Sequence, residues 1–225
     1  MEKISSFLYD LLNANSNVFQ IAKPFQLREP PDIRSLFNFE VASSIVREQY
    51  GDCWLARNGK LPALPELKSG SLTVEQMCSG ITQGYSLVIR HAEYANKELS
   101  AIAEVFSAIF QKPIDIQLYF TPENCEGFDW HFDYEDVFVF QTFGVKEFTL
   151  RPNSFWPDVS GQMQSSLYLN EVFTTEIKFV LSAGEFLFIP AGWWHKAKAM
   201  TPSYHISVGV LTNDVRRPAR IEQYL

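Results

Sequence analysis

The sequence predicts an α+β fold in which a jelly roll or small β-barrel follows a layer of helices. In residues 1–114, apolar residues recur at helical spacing, and from residue 115 the pattern changes to an alternation with a period of two. Helices followed by strands are typical of α+β folds rather than of βαβ units. With 225 residues, 46% of them hydrophobic, the chain can bury one substantial core, so we predict a single domain over residues 1–225.

Residues 1–114 contain three predicted helices and one predicted strand. The first helix is amphipathic and includes Ile4, Phe7, Leu8 and Leu11. "LTVEQMCSGITQG", residues 72–84, carries a start signal at Thr73 and a stop signal at Gly84. "YSLVIRH" predicts a short strand, and "NKELSAIAEVFSAIF", residues 96–110, predicts a helix with one apolar face.

Residues 115–212 form the predicted jelly-roll core, and residues 213–225 form a polar tail. The core contains about eight runs with β periodicity, separated by turn residues: 115–120, 128–133, 136–144, 146–152, 165–170, 176–190, 193–199 and 204–212. Many short strands with turn signals between them are typical of an antiparallel sandwich or barrel.

Charge and cysteine content exclude several classes of protein. The net charge is −7 and no run of Lys or Arg occurs, so the sequence predicts no nucleic-acid interface. The three cysteines lack a C-x-x-C spacing, which favours a reduced, cytoplasmic protein over a disulfide scaffold. No apolar stretch approaches the length of a membrane span, and the N-terminus does not resemble a signal peptide.

The segment "GFDWHFDYEDVFVF", residues 127–140, places His131 and Asp133 two residues apart in a predicted buried strand. Residues i and i+2 of a strand point to the same face. An imidazole and a carboxylate directed together into an apolar interior require hydrogen bonds or a cation. A structural His–Asp hydrogen bond and a metal site are both compatible with this segment alone.

A second motif, "GEFLFIPAGWWHKA", places His195 after a Pro190–Gly192 turn, at the start of another strand. In a barrel, His195 could face His131 and Asp133 across the mouth. Two histidines and one carboxylate on one side of an octahedral metal leave three adjacent positions open, as in non-haem Fe(II) oxygenases. The spacing permits such a site without demonstrating it.

Taken together, these motifs resemble the JmjC-domain oxygenases, especially the branch that hydroxylates ribosomal proteins. The resemblance covers "YFTPENCEGFDWHFDYEDVFVFQTFGVKEF", "GEFLFIPAGWWHKA" and the preceding strand–helix–strand, about residues 35–212. It implies a cupin-like double-stranded β-helix (jelly roll). The C-terminal domains of the ribosomal branch have no counterpart in this sequence.

The resemblance also implies a role for individual residues. His131, Asp133 and His195 match the family's Fe(II) ligands, which would also be the catalytic centre. Lys146 in "FGVKEF" matches the basic residue that pairs with the distal carboxylate of 2-oxoglutarate. Tyr119 and Ser207 match positions that often add hydrogen bonds to this cosubstrate. Gln117 lies where the ribosomal branch commonly has Asn, and it is a further candidate for cosubstrate binding.

The activity implied is hydroxylation of a C–H bond in a protein or peptide side chain, or in an amino-acid-derived molecule, with Fe(II), 2-oxoglutarate and O2. Two other classes remain open: a cupin-like hydrolase or isomerase that uses another metal such as Zn²⁺, and a non-catalytic barrel that binds a partner. His205 and His91 are expected to be a packed core residue and a surface residue without a partner, respectively.

Overall fold

The structure is a computed structural model that describes residues 2–28, 34–48, 52–57, 72–152 and 175–212. The α-helices are α1 (Glu2–Ala14), α2 (Ser16–Ile21), α3 (Phe39–Glu48), α4 (Val74–Thr82) and α5 (Lys97–Phe110). The strands are β1 (Phe25–Leu27), β2 (Asp52–Ala56), β3 (Ser86–Arg90), β4 (Ile114–Thr121), β5 (Glu135–Phe143), β6 (Val145–Arg151), β7 (Ile177–Ser182), β8 (Phe186–Ile189), β9 (Trp194–Ala199) and β10 (Ser203–Leu211). Two short 3₁₀ helices, Arg34–Leu36 and Ala92–Tyr94, complete the described elements.

Two antiparallel sheets face each other, as expected for a jelly roll. The larger sheet has the strand order β1-β8-β5-β10-β4-β3-β2, and the smaller has the order β7-β6-β9. Strands that are distant in sequence pair as neighbours, and β10 lies between β4 and β5 over almost its full length. The jelly-roll fold class predicted from the sequence is confirmed.

The three predicted helices form as α1, α4 and α5, whereas α2 and α3 were not expected. Thr73 and Gln76 make a capping box at the start of α4, in which each side chain accepts a hydrogen bond from the other residue's backbone N–H. The Asn96 side chain accepts hydrogen bonds from the backbone N–H groups of Glu98 and Leu99 at the start of α5. The predicted first helix is α1.

Alternate side chains of the central strands point to opposite faces of the large sheet. Phe138 and Phe140 of β5 pack on the helical side with Ile206 and Val208 of β10. Val137 and Val139 lie on the opposite side, against the small sheet. Each central strand therefore contributes one row of side chains to the helix-covered core and one row to the space between the sheets.

Residues 128–133, predicted as a strand, do not form one. The segment makes only an isolated antiparallel bridge between His131 and His195, flanked by bends. The Asp129 side chain accepts a hydrogen bond from the Trp130 backbone N–H and so competes with ladder formation. The segment is extended, but no regular ladder continues from it.

Three strands lie within the predicted helical lead-in, and two of them, β1 and β2, were not expected. β1 pairs with β8, while β2 and β3 extend the large sheet beyond β4. The run at 176–190 is divided into β7 and β8 by a turn at Gly184, where φ is +92°. The predicted strand at 165–170 and the tail at 213–225 lie outside the described residues.

In the part of the chain that the structure describes, no helix combines the length and the apolar character needed to cross a lipid bilayer.

Candidate active site

A pocket lies between the two sheets and opens to solvent; about 650 Å³ of empty space, including part of that open solvent, is enclosed by its lining. Five strands line it by alternate residues: Gln117, Tyr119 and Thr121 of β4; Glu135, Val137 and Val139 of β5; Lys146 and Phe148 of β6; His195 and Ala197 of β9; and His205, Ser207 and Gly209 of β10. His131 and Asp133 complete the wall together with Phe128. All seven site residues predicted from the sequence therefore line one pocket.

His131, Asp133 and His195 form a cluster whose potential ligand atoms all lie within 4.8 Å of one another. The His195 Nε2 atom lies 3.4 Å from Asp133 Oδ2. The ring centroids of the two histidines are 4.2 Å apart. The third histidine of the pocket, His205, does not belong to this cluster.

Backbone hydrogen bonds hold the three residues together. The N–H of His131 donates to the carbonyl of His195 (3.1 Å), and the N–H of His195 donates to the carbonyl of His131 (2.7 Å). The Gly192 N–H donates to the Asp133 carbonyl (2.8 Å). Gly192 has a φ of +82°, which glycine adopts without strain, and this lets the turn before β9 approach Asp133 closely.

The hydrogen bonds of both histidines leave Nε2 available. Nδ1 of His131 lies 2.7 Å from the Asp129 carbonyl, and Nδ1 of His195 lies 3.0 Å from the Trp193 carbonyl. A protonated Nδ1 donating to a carbonyl fixes the tautomer in which Nε2 carries a lone pair. Burial, followed by the nearby His131, lowers the pKa of His195 and so favours its neutral form.

This donor set fits a divalent transition metal. Two neutral imidazoles and one carboxylate, all on one side of the centre, form the facial arrangement found in non-haem Fe(II) sites. Carbonyls that fix the histidine tautomers are the partners such ligands usually have. The three residues would hold Fe(II) at the wall of the pocket.

Lys146 is buried in the same pocket, with 3% of its surface exposed. Its Nζ donates to Thr121 Oγ1 (2.9 Å) and lies 3.4 Å from Nδ1 of His205. Among the described residues, no carboxylate lies within ion-pair distance of it. Burial lowers the pKa of Lys146 to about 7, because an ammonium without a counter-ion is poorly solvated there. The site therefore lacks an anion that would stabilise Lys146 in its charged form.

Tyr119 and Gln117 belong to a hydrogen-bonded row. The Tyr119 hydroxyl donates to Gln117 Oε1, and Gln117 Nε2 donates to Asp115 Oδ2 (2.7 Å). The Tyr119 ring stacks on the His205 ring at 4.7 Å. Gln117 thus orients Tyr119, whereas Ser207 lines the pocket nearby. The expected hydrogen bonds of these residues to 2-oxoglutarate remain predictions.

Among the polar side chains that line the pocket, the predicted site residues did not include Thr121, His205 and Glu135. Thr121 and His205 lie two residues from Tyr119 and Ser207 on their strands, so alternation alone could have identified them. His205 is a buried, packed residue, as expected.

Glu135 lies two residues after Asp133 and also faces the pocket. Burial, followed by the negative charges of Asp133 and Asp115, raises the pKa of Glu135 to about 7.

His91 has partners, contrary to expectation. Its Nδ1 lies 3.0 Å from Asp115 Oδ1 and 4.0 Å from Glu93 Oε1. This second group of potential ligands lies outside the pocket lining.

The JmjC domain family matches residues 90–217, more than half of the chain, and this range includes the metal cluster and Lys146. The chain belongs to the JmjC-domain family. Oxygenases of this family use Fe(II), 2-oxoglutarate and O2, in agreement with the cofactors inferred from the sequence.

Curated relatives of this JmjC chain share its sequence over most of its length. A bifunctional lysine-specific demethylase and histidyl-hydroxylase NO66 from Drosophila sechellia is 28% identical over 201 residues, 85% of this chain and 30% of the relative. The protein of the same name from Dictyostelium discoideum is 28% identical over 138 residues, 59% of this chain and 26% of the relative. The chain thus spans less than a third of the length of these relatives.

Solved structures of the Escherichia coli ribosomal oxygenase YcfD share the fold. The X-ray structure of YcfD matches with a TM-score of 0.59 and 17% identity, over 86% of this chain and 51% of YcfD. The complex of YcfD with cobalt and 2-oxoglutarate matches with a TM-score of 0.58 and 18% identity, over 86% of this chain and 49% of YcfD. The JmjC chain corresponds to about half of YcfD.

Proposed function

We propose that this JmjC chain is an Fe(II)- and 2-oxoglutarate-dependent oxygenase that hydroxylates an unactivated C–H bond of a protein or peptide side chain, or of an amino-acid-derived molecule, and releases succinate and CO2. One observation carries the proposal. A single pocket contains a two-histidine, one-carboxylate cluster and a buried lysine that has no carboxylate partner among the described residues.

The positions of the cluster and the lysine suit a dicarboxylate. In the β6–β9 ladder Lys146 lies opposite Ala199, and His195 lies opposite Leu150, four residues further along β6. At the usual rise per residue of a strand, the backbones of Lys146 and His195 are therefore roughly 13 Å apart along the ladder, and both side chains point into the pocket. Lys146 would bind one carboxylate of 2-oxoglutarate, and the other end of the molecule would lie next to the metal ligands.

The chain's own residues would bind and orient the reactants. When bound, Fe(II) together with 2-oxoglutarate supplies the activation of O2 for C–H hydroxylation. Lys146 would regain a counter-ion, and Thr121 would hold its ammonium in place through their hydrogen bond. Apolar side chains between the ligands and Lys146, namely Val137, Val139, Phe148, Ile189 and Ala197, would exclude water from the cosubstrate.

A protein substrate is supported by the relatives. The names of the curated relatives describe lysine demethylation and histidine hydroxylation, and that of YcfD describes a ribosomal oxygenase. All of these act on protein side chains or on the ribosome. We extend this substrate class to the present chain as part of the proposal.

The proposal is tested by titrating the metal-free protein anaerobically with Fe(II) and 2-oxoglutarate. We expect the weak visible charge-transfer band of a 2-oxoglutarate–Fe(II) chelate in the wild type. Asp133→Ala removes a metal ligand and should abolish the band. Lys146→Ala removes only the distal anchor and should raise the 2-oxoglutarate concentration needed for the band by at least about a hundredfold, since a buried charge pair is lost.

Lys178→Ala is the matched control. Lys178 lies on β7 of the same small sheet, but it is exposed and pairs with Glu147 at 3.0 Å. This variant should titrate like the wild type. Fe(II) binding without the band would favour the hydrolase or isomerase alternative, and no metal binding would leave a non-catalytic barrel.

A further inference from the structure

The pocket has a second charged residue, Glu135, that neither metal binding nor 2-oxoglutarate binding employs. Glu135 is the first residue of β5, and its side chain lines the pocket. Within the described part of the chain, it has no hydrogen-bond or ion-pair partner; Asp133 and Asp115 are close enough to repel it, and Arg90 offsets this repulsion in part. An unpaired carboxylate beside two others costs stability unless it takes up a proton or a cation binds there.

The backbone opposite Glu135 makes room for its carboxylate. A Cβ atom added to Gly209 of β10 would lie 2.2 Å from Glu135 Oε2 and 2.8 Å from its Cδ. Any side chain at position 209 would therefore displace the carboxylate. With glycine there, the Glu135 side chain extends over β10 and into the pocket.

Glu135 and Lys146 mark opposite ends of the pocket. Lys146 contacts His205 of β10, whereas Glu135 contacts Gly209, four residues further along the same strand. This corresponds to roughly 13 Å along β10. The pocket therefore has a cationic end at Lys146 and an anionic end at Glu135, next to the metal ligand Asp133.

Charge balance indicates what the anionic end would bind. A divalent metal and Lys146 together carry the same number of charges as Asp133 and a bound dicarboxylate, so these four cancel. In its ionised form, Glu135 adds one negative charge beside the reaction centre, which no other residue lining the pocket balances.

We propose that Glu135 is a specificity-determining residue that binds a cationic group of the substrate, an alkylammonium or guanidinium, beside the metal. This inference rests on the proposed oxygenase function. The Glu135 carboxylate, which extends over Gly209, would bind this cationic group. The other charges that line the pocket balance one another once the metal and 2-oxoglutarate are bound. A neutral substrate would leave the Glu135 carboxylate without a counter-ion when water is displaced.

The test compares peptide pools that differ in charge but not in shape. Each pool is random except for one central residue: arginine or its neutral isostere citrulline, lysine or its neutral isostere norleucine. Succinate release is measured with saturating Fe(II) and 2-oxoglutarate. In the wild type, we expect at least one cationic pool to exceed its neutral isostere by at least about tenfold in kcat/KM, as expected for a desolvated charge pair.

Two variants distinguish recognition from a structural role. Glu135→Gln keeps the shape but removes the charge, and it should reduce the cationic preference to within about threefold. Glu147→Gln is the control, because Glu147 pairs with Lys178 outside the pocket lining, and it should keep the preference. Both variants should show the anaerobic visible band at the wild-type 2-oxoglutarate concentration, which excludes a loss of fold.

Failure of this inference differs from failure of the proposed function. Without the visible band in the wild type, the oxygenase proposal fails and the role of Glu135 fails with it. With the band present, the inference alone is overturned if no cationic pool is preferred by the wild type, including the case in which no pool stimulates succinate release. It is also overturned if Glu135→Gln retains the preference.

Discussion

Lys146 shows how a single residue lowers stability in the free protein and provides binding energy in the complex. Its ammonium is buried with a hydroxyl and a neutral imidazole as neighbours, and burial brings its pKa to about 7. In the unfolded chain, Lys146 keeps its proton up to the ordinary pKa of a lysine side chain. Between pH 7 and that pKa, the unfolded state therefore binds more protons than the folded state. Stability of the free protein should therefore rise with pH across this window.

The same shift predicts a pH dependence for cosubstrate binding, with the opposite sign. A dicarboxylate favours charged Lys146, so above pH 7 the free protein must take up a proton on binding. The dissociation constant of 2-oxoglutarate, measured from the visible band between pH 6.5 and 9, should rise with pH by up to about tenfold per unit. Lys146→Arg stays protonated throughout and should flatten the profile.

The other groups that face Lys146 do not titrate between pH 6.5 and 9. Burial lowers the pKa of His205 well below its ordinary value and raises the pKa of Tyr119, while Thr121 has no charge. Glu135, at the far end of the pocket, does titrate near pH 7. Glu135→Gln is therefore the control, and a pH profile that disappears in this variant would attribute the effect to Glu135 instead.

Among the elements, the turn before β9 matters most for the site, because it positions His195. Asp136 of β5 is buried and accepts a hydrogen bond from the Ala191 N–H at 2.9 Å. The Trp193 N–H closes the turn on the Pro190 carbonyl at 3.2 Å. The carboxylate on β5 thereby connects the turn to the sheet that also presents Glu135.

Asp136→Ala should weaken both the fold and the metal site. It leaves a buried N–H of the turn unsatisfied, which costs about 1 to 3 kcal/mol of unfolding free energy in urea titrations. Because His195 follows the turn, Fe(II) affinity should fall as well. Asp136→Asn retains an acceptor oxygen and should lose much less of both. Unchanged metal affinity in a destabilised Asp136→Ala protein would show that the turn does not position His195.

Period-two patterns predicted the strands of residues 115–212 but not which segments form ladders. Segment 128–133 alternates as well as β4 does, yet it makes a single bridge, because periodicity reports an extended backbone and not the presence of a neighbouring strand. β1 is three residues long, too short for the pattern to separate from the surrounding helices. β2 has five residues, as the predicted β3 has, so length does not explain why β2 was missed.

The motifs identified residues that the structure brings into one pocket, whereas the period-two pattern was a poorer guide to the strands around it. The H-x-D and P-x-G-x-x-H motifs located His131, Asp133 and His195 without knowledge of the sheet order. Glu135 was missed because its significance depends on Gly209, which is 74 positions away in sequence and is brought close by the ladder of β5 and β10. Contacts of this kind follow from register, which a single sequence does not reveal.

For the whole molecule, the two faces of the large sheet separate stability from chemistry. Phe138 of β5 is fully buried on the helical side, where its ring lies 5.0–6.1 Å from five others: Phe19, Phe106, Phe110, Phe186 and Phe188. Its neighbours Val137 and Val139 line the pocket on the other face. A change at position 138 should therefore affect folding without reaching the metal or the cosubstrate directly.

Phe138→Ala should reduce the free energy of unfolding by about 3 to 5 kcal/mol, because it opens a cavity among aromatic rings. The folded fraction should still bind Fe(II) and 2-oxoglutarate with affinities within about threefold of the wild type, as expected for a distant site. If this variant does not fold, Phe138→Leu leaves a smaller cavity and permits the same comparison. Val139→Ala, one residue away but facing the pocket, should show the reverse: a smaller loss of stability and a larger change in 2-oxoglutarate affinity. Equal effects of the two substitutions on cosubstrate affinity would show that the sheet transmits packing changes between its faces and does not keep the helix-covered core separate from the pocket.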